Sequence, residues 1–238
     1  MEMRTAAVLS GDPSLIIPYQ NNRDLHTELA IACEGKSILS NPHFHTGDRR
    51  LDPRQWYKQS NFLMLYRGGA HRLRTTLLKL SGKWFPYSWC CEVVNRTRNH
   101  YSGLMQWHDR LLQEVEETGR LILPPTYHSR TFYPTQLPEI ANFPVQTAAA
   151  ITLHRIASRL TNTSLPPLSQ TNVSVAACQN IHDSIVLDCR TPAIADDMQA
   201  AITSAVNWVA EHDYWARLCE THCNFVPLSI SFKRKESQ

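Results

Sequence analysis

The sequence predicts an α+β chain, mostly helical with a small antiparallel sheet, and three observations carry that expectation. A helix is punctuated over residues 53–66: Asp52 suits its N-cap, Pro53 its first position, and Gly68-Gly69 stop it after Tyr66. From Thr191-Pro192 onward, Ile194, Met198, Ile202, Val206 and Val209 recur at helical spacing, the apolar stripe of one long helix laid against a sheet. Between these lie NVSVAACQN and SIVLDC, two short β-rich runs that flank Ile181-His182-Asp183 and read as an antiparallel hairpin over residues 173–189.

The other elements follow in order. Residues 91–118 read as one helix, with Gly119 as its terminator. Residues 120–139 are rich in proline and show no clear period, so they read as an ordered connection. A further helix is expected to start at Pro144. Near the C-terminus Leu228, Ile230 and Phe232 alternate with Ser229 and Ser231, as in a half-buried strand. There is no internal repeat and no low-complexity tract.

Composition limits the function. With 238 residues, 42% of them hydrophobic, the chain has ample material for a packed interior. No apolar run approaches the roughly 18 residues of a membrane span. The start carries Glu2 and Asp12 where a secretory leader needs basic residues and a longer apolar run, so a cytoplasmic location is expected. The seven cysteines are odd in number and scattered, which reads as reduced thiols. Cys219, His222 and Cys223 are close in sequence but lack a fourth metal ligand at the usual spacing. A net charge of +3 is too small to imply a nucleic-acid partner by itself. Its distribution is uneven, however: residues 49–83 hold nine basic side chains and one acid, Asp52, for a local charge of +8 against −5 elsewhere. Such a block is either a solvated face or a surface for a polyanion.

Within that block Arg54, Lys58, Phe62 and Tyr66 are spaced by four, so the row drifts only about 40° per step and shares one broad helix face. Two cations near a helix N-terminus suit a multiply charged phosphate, and two rings further along offer a stacking surface. The alternative is that the rings are core and the cations snorkel from it. Asp183, between two strand-like runs with His182 beside it, is expected at a hairpin tip. There a carboxylate can meet a hard cation or can serve only the turn.

In order and wording, these segments resemble the polymerase half of family A DNA polymerases, the DNA polymerase I type, over nearly the whole chain. MEMRTAAVLSGDPSLIIPYQNNRDLHTELA is similar to the end of motif A and the helices after it, and DPRQWYKQSNFLMLY to motif B on the fingers helix. IANFPVQTAAA resembles the segment that reaches the duplex minor groove, QNIHDSIVLDC resembles motif C, and FVPLSISFK resembles the closing palm strand. The resemblance implies a partial right-hand fold: palm-side helices over 1–34, fingers over 35–119 including the motif B helix 53–66, and palm over 120–238 including the motif C hairpin 173–189.

It also implies roles. Arg54 and Lys58 would bind the incoming triphosphate, with His26 of RDLHT contacting the same phosphates. Phe62 would flank the sugar and base. Tyr66 would pack at the templating position and, with Glu2, close off the space a ribose 2′-hydroxyl would need. Asn142 and Gln146 would donate to minor-groove acceptors, although amides at such spacing also serve as caps. His182 would lie near the primer end, and Asp183 would hold two catalytic Mg²⁺ ions. The implied partners are primer-template DNA and a deoxynucleoside triphosphate (dNTP), and Gly68 and Gly69 are expected to allow hinge adjustment as the fingers close.

Some positions depart from the family pattern. Motif A reads approximately DYSQIELR, and only its last residues are matched by MEMR, so the first metal-binding aspartate would precede Met1. A completing N-terminal polymerase segment or second chain is therefore expected; the alternative is a catalytically inactive fragment that binds DNA or nucleotide. A single-subunit RNA polymerase relative would share the HDS wording, but Glu2 argues for deoxynucleotides. Arg67, Thr147, Ser184 and Pro138 stand where the family has Gly, Gly, an acid and Arg, respectively. Asp188, roughly 16 Å along the outgoing strand, is too far from Asp183 to share a metal.

Overall fold

The computed structural model describes residues 1–163, 175–181, 184–189 and 192–232. His182 and Asp183, the pair expected at the hairpin tip, lie outside the described residues.

The chain opens with three short helices, α1 (Glu2–Ser10), α2 (Pro13–Gln20) and α3 (Leu25–Glu34), then a 3₁₀ turn at Lys36–Ser40. Aspartates start two of them: Asp12 accepts from Ser14 N at 2.8 Å on α2, and Asp24 accepts from Thr27 N at 2.9 Å on α3. Asp12 also accepts from Leu104 N at 2.9 Å, so one buried carboxylate satisfies donors on two helices far apart in sequence.

The basic block forms α4 (Pro53–Leu65) and α5 (Ala70–Ser81). As expected, Asp52 caps α4 and Pro53 opens it. After it come α6 (Tyr87–His100) and α7 (Ser102–Thr118), where the sequence suggested one helix. Gly103, two residues past the break at Tyr101, lets the chain pass close to Asp12, where an added Cβ would stand 3.1 Å from Asp12 Cα. Long-range bonds hold the break, the Tyr101 hydroxyl to Asn61 and Leu104 N to Asp12. Gly119, with φ of 72°, ends α7 as expected.

The proline-rich connection folds as a hairpin, β1 (Arg120–Leu123) and β2 (His128–Thr131), paired antiparallel from Arg120↔Thr131 to Leu123↔His128. Helix α8 (Leu137–Thr163) begins seven residues before Pro144 and runs through it. An internal proline forgoes one helical hydrogen bond, and the burial of Ile140, Ala141, Val145 and Ala148 around it offsets that loss.

The two β-rich runs form β3 (Val175–Ile181) and β4 (Ser184–Cys189), antiparallel with a register shift between Ala177 and Gln179. Helix α9 (Pro192–His212) follows, then α10 (Tyr214–Thr221). The α9 stripe is buried at Met198, Ile202, Val206 and Val209, but it packs chiefly on α8 and α10, with only a minor contact to β4.

Residues 223–232 make no strand, contrary to the alternation read in the sequence. Side chains fasten this tail instead. Arg4 donates to Pro227 O and to Ser229 Oγ, the latter at 2.7 Å. Asn224 donates to Val8 O at 2.9 Å, and Trp215 Nε1 donates to Val226 O at 2.8 Å.

Helix α1 lies at the centre, with Met3, Thr5, Ala6, Ala7, Val8, Leu9 and Ser10 all buried. Its small residues admit α2, α7 and α8 at close range, which fixes Glu2 at its N-terminal end against α4 and α8.

Candidate functional site

Three side chains from distant parts of the chain meet at the C-terminal end of α4. The Tyr66 hydroxyl donates to Glu2 Oε2 at 2.7 Å, while Gln146 Nε2 donates to Tyr66 Oη at 3.0 Å and also to Glu2 Oε1. Burial first, and then the bond to Glu2, push the Tyr66 hydroxyl well above its ordinary pKa, so it stays a donor at any physiological pH. Gln146 is thus engaged with the ring and carboxylate that close this end of the helix face.

The other residues of the row lie along the same face. Arg54, Lys58, Phe62 and Tyr66 are all half-buried, whereas Tyr57, Asn61, Met64 and Leu65 point into the interior. Neither simple alternative describes the row, since the rings are not fully core and the cations are not simply solvated. Arg54 is engaged with Asp24, donating from Nε at 2.7 Å and from Nη2 at 2.6 Å in a bidentate pair. Burial pushes the Asp24 carboxyl up, but the bonds from Arg54 and Thr27 outweigh it and hold the group well below the usual carboxylate range. Lys58 makes no hydrogen bond or ion pair among the described residues.

The N-terminus of α4 is not open to an anion as the sequence suggested. Asp52, fully buried, accepts from Arg54 N at 2.9 Å, His45 N at 3.1 Å and Gly47 N at 3.0 Å. A carboxylate of the chain itself already uses the helix dipole there. The cationic character of the face therefore rests on the side chains of Lys58 and Arg54.

His26 joins this face from the first turn of α3, with its ring 6.2 Å from that of Phe62. Burial lowers its pKa, opposed by Asp24 and assisted by Arg54 and Lys58, to about 4, so the ring is neutral near pH 7. Its Nδ1 lies 2.8 Å from Asn61 Nδ2, and Asn61 Oδ1 accepts from the Tyr101 hydroxyl at 2.7 Å. Asn142, on α8, is half-buried, and its Oδ1 has no hydrogen-bond partner among the described residues.

Among the described residues no three His, Cys, Asp or Glu side chains gather as a metal site. In the Cys219, His222, Cys223 stretch, Cys219 is buried and Cys223 exposed. Asp183, with His182, stands outside what is described; the strands on either side pair up to Ile181↔Ser184.

Asp24, Asn61 and Tyr101 were not among the residues singled out from the sequence. Asp24 carried a signal as the capping residue of DLHT. Asn61 carried one as a polar residue on the interior side of an amphipathic helix.

The model of DNA polymerase family A matches residues 1–232. The chain belongs to DNA polymerase family A. It is 27% identical over 219 residues to the thermostable DNA polymerase I of Thermus thermophilus, a match covering 85% of this chain and 24% of that enzyme. It is 29% identical over 137 residues to the DNA polymerase of Mycobacterium phage D29, covering 55% and 20% respectively. The POL domain of Pol1 from M. smegmatis, in complex with DNA primer-template and dNTP, superposes with a TM-score of 0.63 at 16% identity, over 87% of this chain and 35% of that one. That likeness concerns the fold, and the α+β arrangement here is a partial polymerase fold. This family A chain spans about a quarter of the length of the Thermus enzyme. No described helix is long and apolar enough to cross a membrane.

Proposed function

We propose that this chain supplies the fingers and part of the palm for template-directed DNA synthesis, the transfer of a nucleotidyl group from a dNTP to a primer 3′-hydroxyl. Palm-side helices would occupy 1–34, fingers 35–119 and palm 120–238. The observation that carries the reading is the Tyr66–Glu2–Gln146 contact, which closes one end of a face bearing Arg54, Lys58 and Phe62. Phosphates would lie against Lys58, which has no hydrogen-bond or ion-pair partner among the described residues, and against Arg54, whose charge is partly offset by Asp24. Their positive charge would stabilise the pyrophosphate leaving group as charge builds on it. His26, neutral near pH 7, would donate a hydrogen bond to the same phosphates. Phe62 would pack on the sugar and base, and the Tyr66–Glu2 pair would leave no room for a 2′-hydroxyl.

Asn142 and Gln146 would meet the minor groove, which requires Gln146 to exchange its bonds to Tyr66 and Glu2 for bonds to DNA. His182 would lie near the primer end. Asp183 would hold Mg²⁺, which would supply charge neutralisation on the phosphates and a lowered pKa for the primer hydroxyl. A second carboxylate, matching the aspartate of motif A, is proposed to come from a polymerase segment or partner chain that completes the site.

Primer extension with Mg²⁺, with and without an added segment carrying a DYSQ-like motif, tests the reading. The completed protein is expected to extend the primer with dNTPs, to lose extension with Asp183→Asn, and to admit ribonucleotides with Glu2→Ala. Extension that survives Asp183→Asn would refute the proposed chemistry. Nucleotide binding with no extension under any condition would favour a noncatalytic fragment that binds DNA or nucleotide.

A further inference from the structure

The inside of the motif B helix holds a hydrogen-bonded chain whose direction can be worked out. Tyr101 is fully buried, so its hydroxyl proton needs an acceptor inside the protein, and its hydrogen-bond partner among the described residues is Asn61 at 2.7 Å. The Asn61 atom facing Tyr101 must therefore be the carbonyl oxygen Oδ1. Asn61 is itself fully buried, and an amide whose oxygen faces Tyr101 turns its NH₂ group to the other side. There, 2.8 Å away, is His26 Nδ1. A nitrogen that meets an N–H donor must present its lone pair, so Nδ1 carries no proton and the proton of the neutral ring sits on Nε2.

We infer that Asn61 and Tyr101 are positioning residues that fix His26 as a neutral Nε2–H donor for a nucleotide phosphate. This rests on the nucleotide-binding reading above. The ring leaves Nε2, its only N–H, without a hydrogen-bond partner among the described residues. An imidazolium would carry a second N–H on Nδ1, pointed at the Asn61 amide, and donor against donor is repulsive. The charged groups around the ring do not select the tautomer. Asp24 on α3 favours the cation, Arg54 and Lys58 on α4 oppose it, and none of the three distinguishes Nδ1–H from Nε2–H. Asn61 does, because its amide orientation is set from behind by Tyr101. Tyr101 lies at the junction of α6 and α7, and from there its hydroxyl reaches Asn61.

The test is nitrogen NMR of the full chain with ¹⁵N-labelled imidazoles, the His26 signal being identified by its loss in His26→Gln. At pH 7.5 the expected His26 pattern is a pyridine-type Nδ1 and a pyrrole-type Nε2. Asn61→Asp keeps the side-chain shape but offers only acceptors, so Nδ1 is expected to gain a proton and the ring's titration midpoint to rise by at least one pH unit, a tenfold gain in proton affinity. Tyr101→Phe removes only the oxygen that orients the amide, and a mixture of the two neutral tautomers is expected. If Asn61→Asp does not fold, Tyr101→Phe carries the test.

A wild-type ring protonated on Nδ1, or variants that leave tautomer and midpoint unchanged, would overturn the inference. Adding dATP to the wild-type chain is expected to shift the Nε2 resonance. The predicted tautomer without that shift would overturn the phosphate role of His26, a failure distinct from a failure of the Asn61–Tyr101 relay.

Discussion

Tyr66→Phe removes one oxygen and leaves the ring in place, so it isolates the polar contact at the end of α4. That oxygen donates to a carboxylate at 2.7 Å and accepts from an amide at 3.0 Å. A hydrogen bond to a charged group contributes about 1.5–3 kcal/mol and a neutral one about 0.5–1.5 kcal/mol. Because the cluster is half-exposed, water can replace part of each bond, and a total loss of about 1.5–2 kcal/mol is expected. For a chain of this size about 1 kcal/mol corresponds to about 2–4 °C, which places the fall in Tm at about 3–8 °C. Urea unfolding of wild type, Tyr66→Phe, Glu2→Ala and the double variant forms a cycle in which the coupling between Tyr66 and Glu2 is expected to be about 1 kcal/mol. The Tyr66 hydroxyl is held above its ordinary pKa by burial and by Glu2, so its deprotonation should not alter the coupling between pH 6 and 9. Additive effects within about 0.3 kcal/mol would show that Tyr66 and Glu2 are neighbours without being coupled, and the argument for a closed end to the proposed nucleotide face would fail.

Other perturbations have equally definite outcomes. Asp24 has a depressed pKa in the folded chain, so its contribution is complete above the ordinary carboxylate range and is lost as pH falls through the folded value. Asp24→Asn is accordingly expected to lower stability by about 1–2 kcal/mol at pH 7 and by much less near pH 2, as read by urea unfolding at the two pH values. His108, 1% exposed, is held at about 4 against 6.5 by burial first and then by Arg67. Its neutral form is the one folded, so stability is complete above pH 6.5 and falls by up to about 3 kcal/mol toward pH 4. His108→Gln should flatten that part of the pH profile in thermal melts. At Gly68 an added Cβ would stand 2.1 Å from Leu63 Cδ1 and 2.4 Å from its Cγ, so Gly68→Ala is expected to cost about 1–3 kcal/mol in urea unfolding. Lys58→Ala should leave Tm within about 1 °C while weakening dNTP binding at least tenfold by fluorescence titration, because Lys58 has no partner to lose among the described residues.

The parts of the fold that were legible in the sequence are those decided within a few residues. Asp52 and Pro53 announce the start of α4, Gly119 the end of α7, and the spacing from Ile194 to Val209 gives α9. The parts that were not legible are decided at long range. The helix break at Tyr101 has Gly103 beside it, but a lone glycine inside a helical pattern does not announce a break, and this one depends on Asn61 and Asp12, 40 and 92 residues away from the groups they bind. Pro144 read as a helix start because the burial that carries α8 across it involves elements elsewhere in the chain. Leu228, Ile230 and Phe232 alternate like a strand, yet Arg4 and Asn224 bind the tail through side chains, which leaves no pattern in the sequence. The candidate site divides in the same way. The row of Arg54, Lys58, Phe62 and Tyr66 is local and could be read directly. The pairing of Glu2 with Tyr66 came from family resemblance, and the partners of Arg54 and His26, Asp24 and Asn61, are 30 and 35 residues distant.

The fastening of residues 224–229 to the first helix makes that stretch a buckle that holds α1 close to Glu2. Arg4, two residues after Glu2, grips Pro227 and Ser229, and Asn224 grips Val8. Trimming the chain after Cys223 would therefore let α1 swivel and carry the Glu2 carboxylate out of register with Tyr66. Under the role proposed for Glu2, sugar selectivity would then depend on residues 224–229, which bind α1 and not Tyr66.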